Sequence, residues 1–217
     1  MKNNLSIIWD WNGTIVNDAS VFIKIMNDFL SERNLPPITL KQYRSAFVFP
    51  VKNYYTKLGF DFSEESFESL SLVFIEKYKK AMFTPPLVKD IKNLLSWLCK
   101  RQISQYIVSA QEHSLLTRAV EYYRVGLFFK EVKGINNYQA TSKVSIAKEL
   151  YSASLKKQTK EIVLIGDTEH DAEVAKELNI NCFLVSYGHC TKEKLLKTGF
   201  NVFDSVSDLK SALKSIY

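Results

Sequence analysis

Apolar residues along this chain fall into two patterns. Short continuous runs bounded by turn residues read as buried strands, and recurrence at i, i+3, i+4 and i+7 reads as amphipathic helix. The first run, Leu5-Ser6-Ile7-Ile8-Trp9, is a strand that stops at the polar turn Asp10-Trp11-Asn12-Gly13-Thr14. Over 18–33, Val21, Phe22, Ile25, Met26, Phe29 and Leu30 keep helical spacing, with Asn17 or Asp18 as the cap and Pro36-Pro37 as the stop. Thr39 caps a short helix reaching Phe47, Pro50 breaks it, and a further turn or two fits 51–58. Ser63-Glu64-Glu65 then opens a long helix to about Met82, acidic at its start and lysine-rich at its end, as the helix dipole favours.

No strand candidate occurs between about 16 and 84, and Thr84-Pro85-Pro86 is the clearest linker. Beyond it the pattern alternates: helix 88–101, strand 105–109, helix 112–123, strand 131–133, helix 142–151, strand 162–165, helix 171–178, strand 182–185, strand 201–203 and a last helix carrying Leu209, Ala212, Leu213 and Ile216. Repeated strand–helix units predict an α/β fold, a doubly wound and mostly parallel sheet with a Rossmann-like core. The first strand belongs to that sheet, so residues 1–15 and 85–217 form the core and 16–84 an inserted all-helical cap. Taken alone, Asn12-Gly13 between apolar residues also reads as a β-hairpin turn.

Composition narrows the class. Hydrophobic residues make up 46% of 217 and aromatics 13%, which predicts a filled core. The net charge of +6 is spread over small lysine groups mixed with glutamate, so a solvated surface that mildly steers small anions is expected rather than a nucleic-acid partner. No apolar run approaches the roughly 18 residues of a membrane span. The chain runs from Met1 straight into a strand without signal-peptide character. Cys99, Cys182 and Cys190 have no metal-ligand spacing, so a cytoplasmic protein with reduced thiols is expected. There is no glycine-rich nucleotide loop.

Polar groups gather at four expected strand ends. Asp10 closes the first strand, where open α/β sheets bind ligands and where a turn's N–H groups can face an anion. Ser109 closes Tyr106-Ile107-Val108 ahead of a helix N-terminus that can hold phosphate oxygens. Lys143 enters a helix after Ala140-Thr141-Ser142 and can neutralise negative charge. Asp167 and Asp171 bracket the turn after Ile162-Val163-Leu164-Ile165, offering the oxygen ligands that suit Mg²⁺. Singly, Ser109 and Asp171 read equally as helix caps and Lys143 as a solvated lysine.

Together, Asp10-Trp11-Asn12-Gly13-Thr14, Ile107-Val108-Ser109, Lys143 and Gly166-Asp167-Thr168-Glu169-His170-Asp171 resemble the four motifs of the haloacid dehalogenase superfamily in their usual order. The likeness is closest to phosphoglycolate phosphatase-like members with a small helical cap, and Val185-Ser186-Tyr187-Gly188 through Asp208-Leu209 looks like that group's C-terminal pattern. The resemblance implies a Mg²⁺-dependent hydrolase of a small phosphorylated metabolite. Asp10 would be the nucleophile that forms an aspartyl-phosphate. Asp10, the Asn12 backbone carbonyl and Asp167 would hold the metal, and Asp171 would support the metal site or Lys143. Ser109, Ala110, Lys143 and Trp11, the last in a loop of N–H donors, would hold the phosphoryl group. In the cap, Arg44, Lys52 and Tyr54 are the candidates for substrate choice.

Asn12 departs from that pattern. Family phosphatases usually carry there an Asp that protonates the leaving oxygen and then activates water, assistance typically worth 10²–10⁴ in rate. An amide does neither, so leaving groups that need no proton, such as acyl or activated aryl phosphates, would suffer least. Two other functions fit the same residues: a regulatory module that binds phosphate and metal with negligible turnover, and carbon–phosphorus hydrolysis resembling phosphonoacetaldehyde hydrolase, with Lys52 as Schiff base. Dehalogenation fits the Lys143 and Gly166-to-Asp171 pattern least well.

Overall fold

The computed structural model describes residues 5–63, 65–136, 143–156 and 161–216. Residues 1–4, Glu64 and the expected helix start at Ser142 with the two residues before it lie outside those. Strand β1 (Leu5–Trp9) is followed by helices α1 (Ala19–Ser31), α2 (Leu40–Ala46), α3 (Val51–Lys57), α4 (Phe67–Ala81) and α5 (Ile91–Lys100). Then come β2 (Ser104–Glu112), α6 (His113–Tyr122), β3 (Glu131–Ile135), α7 (Lys143–Leu150), β4 (Glu161–Gly166), α8 (Glu169–Leu178), β5 (Asn181–Val185), α9 (Lys192–Leu196), β6 (Asn201–Phe203) and α10 (Val206–Ser215).

The six strands form one sheet in the order β3-β2-β1-β4-β5-β6, every neighbour parallel. Every residue of β1 is buried, as a central parallel strand covered on both faces requires. The Asn12-Gly13 turn is no hairpin, because β1 pairs in parallel with β2 and β4, strands far away in sequence. Chain order reverses between β1 and β4, the position at which open α/β sheets bind ligands.

Several expected boundaries move, each for a local reason. The fourth helix opens at Ser66, whose hydroxyl accepts the Ser69 N–H, whereas Ser63 spends its N–H on Asp61. Helix α5 starts at Ile91 because Asp90 has φ 65° and Val88 donates its N–H to Ile15 O. Strand β2 runs three residues past Ser109, with a shift of register against β3 between Val108 and Glu112. Thr39 and Gln42 make the expected cap of α2 in both directions. The short helix α9, capped by Thr191, was not expected at all. The five helices α1–α5 fill the chain between β1 and β2, with Tyr54, Tyr55, Phe60, Leu70 and Tyr78 buried among them.

Candidate active site

Asp10 and Asp167 extend the C-terminal ends of β1 and β4, the two central strands, and the Asp10 N–H continues the ladder to Ile165 O at 2.8 Å. With Asp171 they form a buried triad in which one carboxylate oxygen of each residue lies within 4.8 Å of the others. Lys143, the first described residue of α7, is its counter-charge. The Nζ donates to Asp10 Oδ1 and, at 2.5 Å, to Asp171 Oδ1.

Asp171 divides its two oxygens. Oδ1 takes Lys143, while Oδ2 accepts Thr168 N, Thr168 Oγ1 and Asp167 N at 3.0, 2.7 and 3.2 Å. The helix cap is therefore Thr168, and Asp171 is the reciprocal acid three residues on, which fixes Lys143 at the same time. Asp167 is held just as closely, accepting Thr14 Oγ1 at 3.0 Å and His189 N at 2.6 Å.

Three carboxylates share one ammonium, and the titration follows. Burial pushes Asp10 up, Lys143 pulls it down, Asp171 and Asp167 push it up again, and it ends at about 8. Burial likewise raises Asp167 to about 6 against the opposing effect of His189. For Asp171, burial is outweighed by Lys143 and the Thr168 hydrogen bonds, which hold its carboxyl below the ordinary value. Burial alone would lower Lys143, but Asp10 and Asp171 raise it and keep it charged.

The structure places the remaining sequence candidates unevenly. Ser109 is buried and lines the same cavity as Asp10, Asn12, Ala110 and Lys143. It does not, however, stand at a helix N-terminus: α6 starts at His113, and its first N–H groups are taken by the Glu112 carboxylate. The Trp11 ring is buried, 6.0 Å between centroids from Tyr123, so only its backbone is available to an anion. Tyr54 lines the cavity, as does Lys52, which is exposed with Nζ 5.4 Å from the Phe62 ring centroid. Arg44 does not line it; its guanidinium donates to Tyr187 O and ties α2 to the loop after β5.

Sequence reasoning missed a second polar cluster beside the triad. Asp18 is fully buried at the head of α1 but makes no side-chain cap bond there. Its carboxylate accepts Asn12 Nδ2 at 2.6 Å, Gly13 N at 2.9 Å and Tyr78 Oη at 2.9 Å, and lies 3.2 Å from His189 Nε2. The other His189 nitrogen is 2.6 Å from Tyr43 Oη. Burial would lower the His189 pKa, but the hydrogen bond and charge of Asp18, with Asp167 and Asp10 beyond, raise it. The Asp18-to-His189 contact joins residues 171 positions apart, which no periodicity can reveal.

Above the triad stands a cavity of about 580 Å³, walled by side chains of α1–α4, among them Phe22, Tyr55, Phe67 and Phe74. A buried carboxylate with a charged lysine beside it, two further carboxylates and a partly sheltered cavity next to them form an arrangement suited to group transfer.

The family model for haloacid dehalogenase-like hydrolases matches residues 7–185. Among solved structures, the chain is similar to a predicted phosphatase from Clostridium acetobutylicum, at 21% identity with a TM-score of 0.79, covering 99% of this chain and 100% of that one. It is similar to the Mycobacterium tuberculosis Protein Tyrosine Kinase A at 19% identity and a TM-score of 0.81, covering 98% of each chain. A predicted phosphoglycolate phosphatase from Haemophilus somnus matches at 16% identity and a TM-score of 0.75, over 98% of this chain and 99% of that one. At such identities these likenesses establish the fold alone. Among curated proteins none matches the chain.

Proposed function

We propose, from the premise that this chain belongs to the haloacid dehalogenase-like hydrolase family, that it is a Mg²⁺-dependent phosphatase of a small phosphorylated substrate. One observation carries the reading most directly: Asp10, backed by Lys143 and beside Asp167, belongs to the buried carboxylate triad and lines the cavity as well. Residues 16–84 then act as a cap over a core made of 1–15 and 85–217.

The donor set fits a hard divalent cation. Three buried carboxylates share one lysine, and Asp10 and Asp167 are both pushed toward the protonated state, which a bound cation would reverse. Asp10, Asp167 and the Asn12 backbone carbonyl would hold it, and when bound it would neutralise phosphoryl charge. Asp171, whose oxygens serve Lys143 and Thr168, positions the lysine.

In this reading Lys143 engages Asp10 Oδ1, leaving Oδ2 to attack phosphorus. The bond from phosphorus to the leaving oxygen breaks, and that oxygen departs with the electron pair. Lys143 balances charge on the transferred group and the Ser109 hydroxyl donates to it, where positioning and electrostatics dominate. Water then hydrolyses the aspartyl-phosphate, releasing phosphate and regenerating Asp10.

Measuring phosphate release from acetyl phosphate and a panel of phosphoesters, with and without Mg²⁺, tests the proposal. Wild type should be active only with the metal, and Asp10→Asn should lose about 10³-fold or more. Unchanged turnover in Asp10→Asn would sink it. A second reading, phosphate binding without turnover, draws on one observation: the Asn12 amide is committed to Asp18 and Tyr78 and carries no transferable proton. Tight Mg²⁺ and phosphate binding with no hydrolysis across the panel would favour it.

A further inference from the structure

A phosphoryl group needs only the floor of the cavity; the rest of its 580 Å³ is walled chiefly by aromatic and aliphatic side chains, including Phe22, Phe47, Tyr55, Phe67, Phe74 and Ile75. A small polar ester would leave that surface against water, whereas an apolar body of matching size removes it. Two side chains lining the cavity carry polar atoms that are buried and without a hydrogen-bond partner among the described residues: the Tyr54 hydroxyl, on a residue only 2% exposed, and both Nε2 and Oε1 of Gln111. Folded proteins pair nearly all such atoms, so these point to a ligand that pairs them. Gln111 lies two residues beyond Ser109 on β2, and Tyr54 lies on α3. The third observation is Asn12. With no acid at that position, the leaving oxygen departs unprotonated, which a phenol of pKa about 10 does far more readily than an alkanol.

Resting on the phosphatase reading above, we propose that the substrate is the phosphate monoester of a polar-substituted phenol, its fused or extended aromatic body held between the cavity walls and its polar groups paired by Tyr54 and Gln111. Asp10 Oδ2 bonds to phosphorus as the aryl P–O bond breaks; the phenolate leaves with the electron pair and takes its proton from water. The ring faces supply the stacking partners that aromatic walls favour.

The test uses the full chain with Mg²⁺. Phenyl and 2-naphthyl phosphate have leaving groups of similar basicity, so their ratio reports the cavity rather than the chemistry; kcat/KM should favour 2-naphthyl by about tenfold. Independently of turnover, calorimetry should give 2-naphthylphosphonate a Kd about 10²-fold below that of methylphosphonate. Acetyl phosphate hydrolysis with neither preference overturns the substrate class and leaves the phosphatase reading standing. Binding preference without any hydrolysis upholds the substrate body and overturns turnover. For the polar anchors, 6-hydroxy-2-naphthyl phosphate should bind about tenfold tighter than 2-naphthyl phosphate, and Tyr54→Phe combined with Gln111→Leu should erase that advantage. An advantage that survives both substitutions removes the two residues from recognition.

Discussion

The Asn12 side-chain amide donates to the buried carboxylate of Asp18 at 2.6 Å, and in the same geometry donates to Tyr78 Oη at 2.7 Å. Asp18 is thereby surrounded by donors from the first turn, from α4 and from the His189 loop. The residue that departs from the usual phosphatase pattern is thus matched to its surroundings. An acid at position 12 would meet a second carboxylate where the amide now finds an acceptor.

Asn12→Asp should therefore do two things at once. Two carboxylates at hydrogen-bond distance cannot both ionise, so one takes a proton near neutral pH, and a proton held there is what a general acid needs. Turnover of unactivated alkyl phosphates should rise about 10²–10⁴-fold, with aryl phosphates changing little. Replacing the two amide donations, to Asp18 and to Tyr78, by one shared proton should cost about 1–3 kcal/mol of stability. Steady-state kinetics and denaturant melts check both, and adding Asp18→Asn should restore stability by reversing the pair.

Lys143 is the only cation bonded to the triad among the described residues, so its removal strands buried charge. Lys143→Met should destabilise by about 3–5 kcal/mol in urea melts. Asp10→Asn removes one of the competing acids and should be neutral or stabilising at pH 8 while abolishing phosphate release. Should Asp10→Asn also destabilise strongly at that pH, the triad is not under the electrostatic load assigned to it.

Much of the scaffold was legible because burial writes itself into pattern: β1 and β6 match their apolar runs to the residue, and Thr39 announces α2 by its own chemistry. Asp10 and Asp167 were legible because the ends of β1 and β4 meet where chain order reverses, whereas Lys143, at the start of α7, was legible only through its place in the motif order. Ser109 was misjudged at its neighbours, since nothing in Ala110-Gln111-Glu112 signals that the strand continues past it. Asp18 was legible as a residue preceding a helix but not as an acceptor for Asn12, Tyr78 and His189. That role depends on how α1 and α4 seat on the loop after β5, a matter of packing between distant elements.

Proton linkage at the triad has a definite sign. Asp10 and Asp167 have folded pKa values of about 8 and about 6 against ordinary values of 3.8, so the folded chain holds protons that the unfolded chain releases. Without metal, stability should fall as pH rises from about 4 through about 8. His189, raised from 6.5, adds to the same trend, since its contribution is full below that value and lost above. The lowered Asp171 acts oppositely but only as pH falls through and below 3.8. Mg²⁺ held by these carboxylates would replace those protons, so its stabilising shift in Tm should grow between pH 6 and pH 8.5. A shift that is constant or shrinks would take Asp10 and Asp167 out of the cation site.

Gly188 tests how tightly Asp167 is placed. A Cβ at this position would stand 2.1 Å from Asp167 Oδ2 and 2.5 Å from its Cγ, closer than any side chain tolerates. The loop carrying Gly188 also supplies the His189 N–H that binds Asp167 at 2.6 Å, so neither partner can retreat without breaking that bond. Gly188→Ala should displace the carboxylate, and a displacement of about 1 Å in a positioned group costs on the order of 10²-fold in rate. Overpacking should cost about 1–3 kcal/mol as well. Gly199→Ala separates the two effects: its Cβ would meet nothing within 4 Å, but its φ of +85° strains an L-residue. That variant should lose about 1 kcal/mol of stability with kcat/KM unchanged. Measured side by side, equal losses of activity in the two variants would mean that Asp167 position does not set the rate.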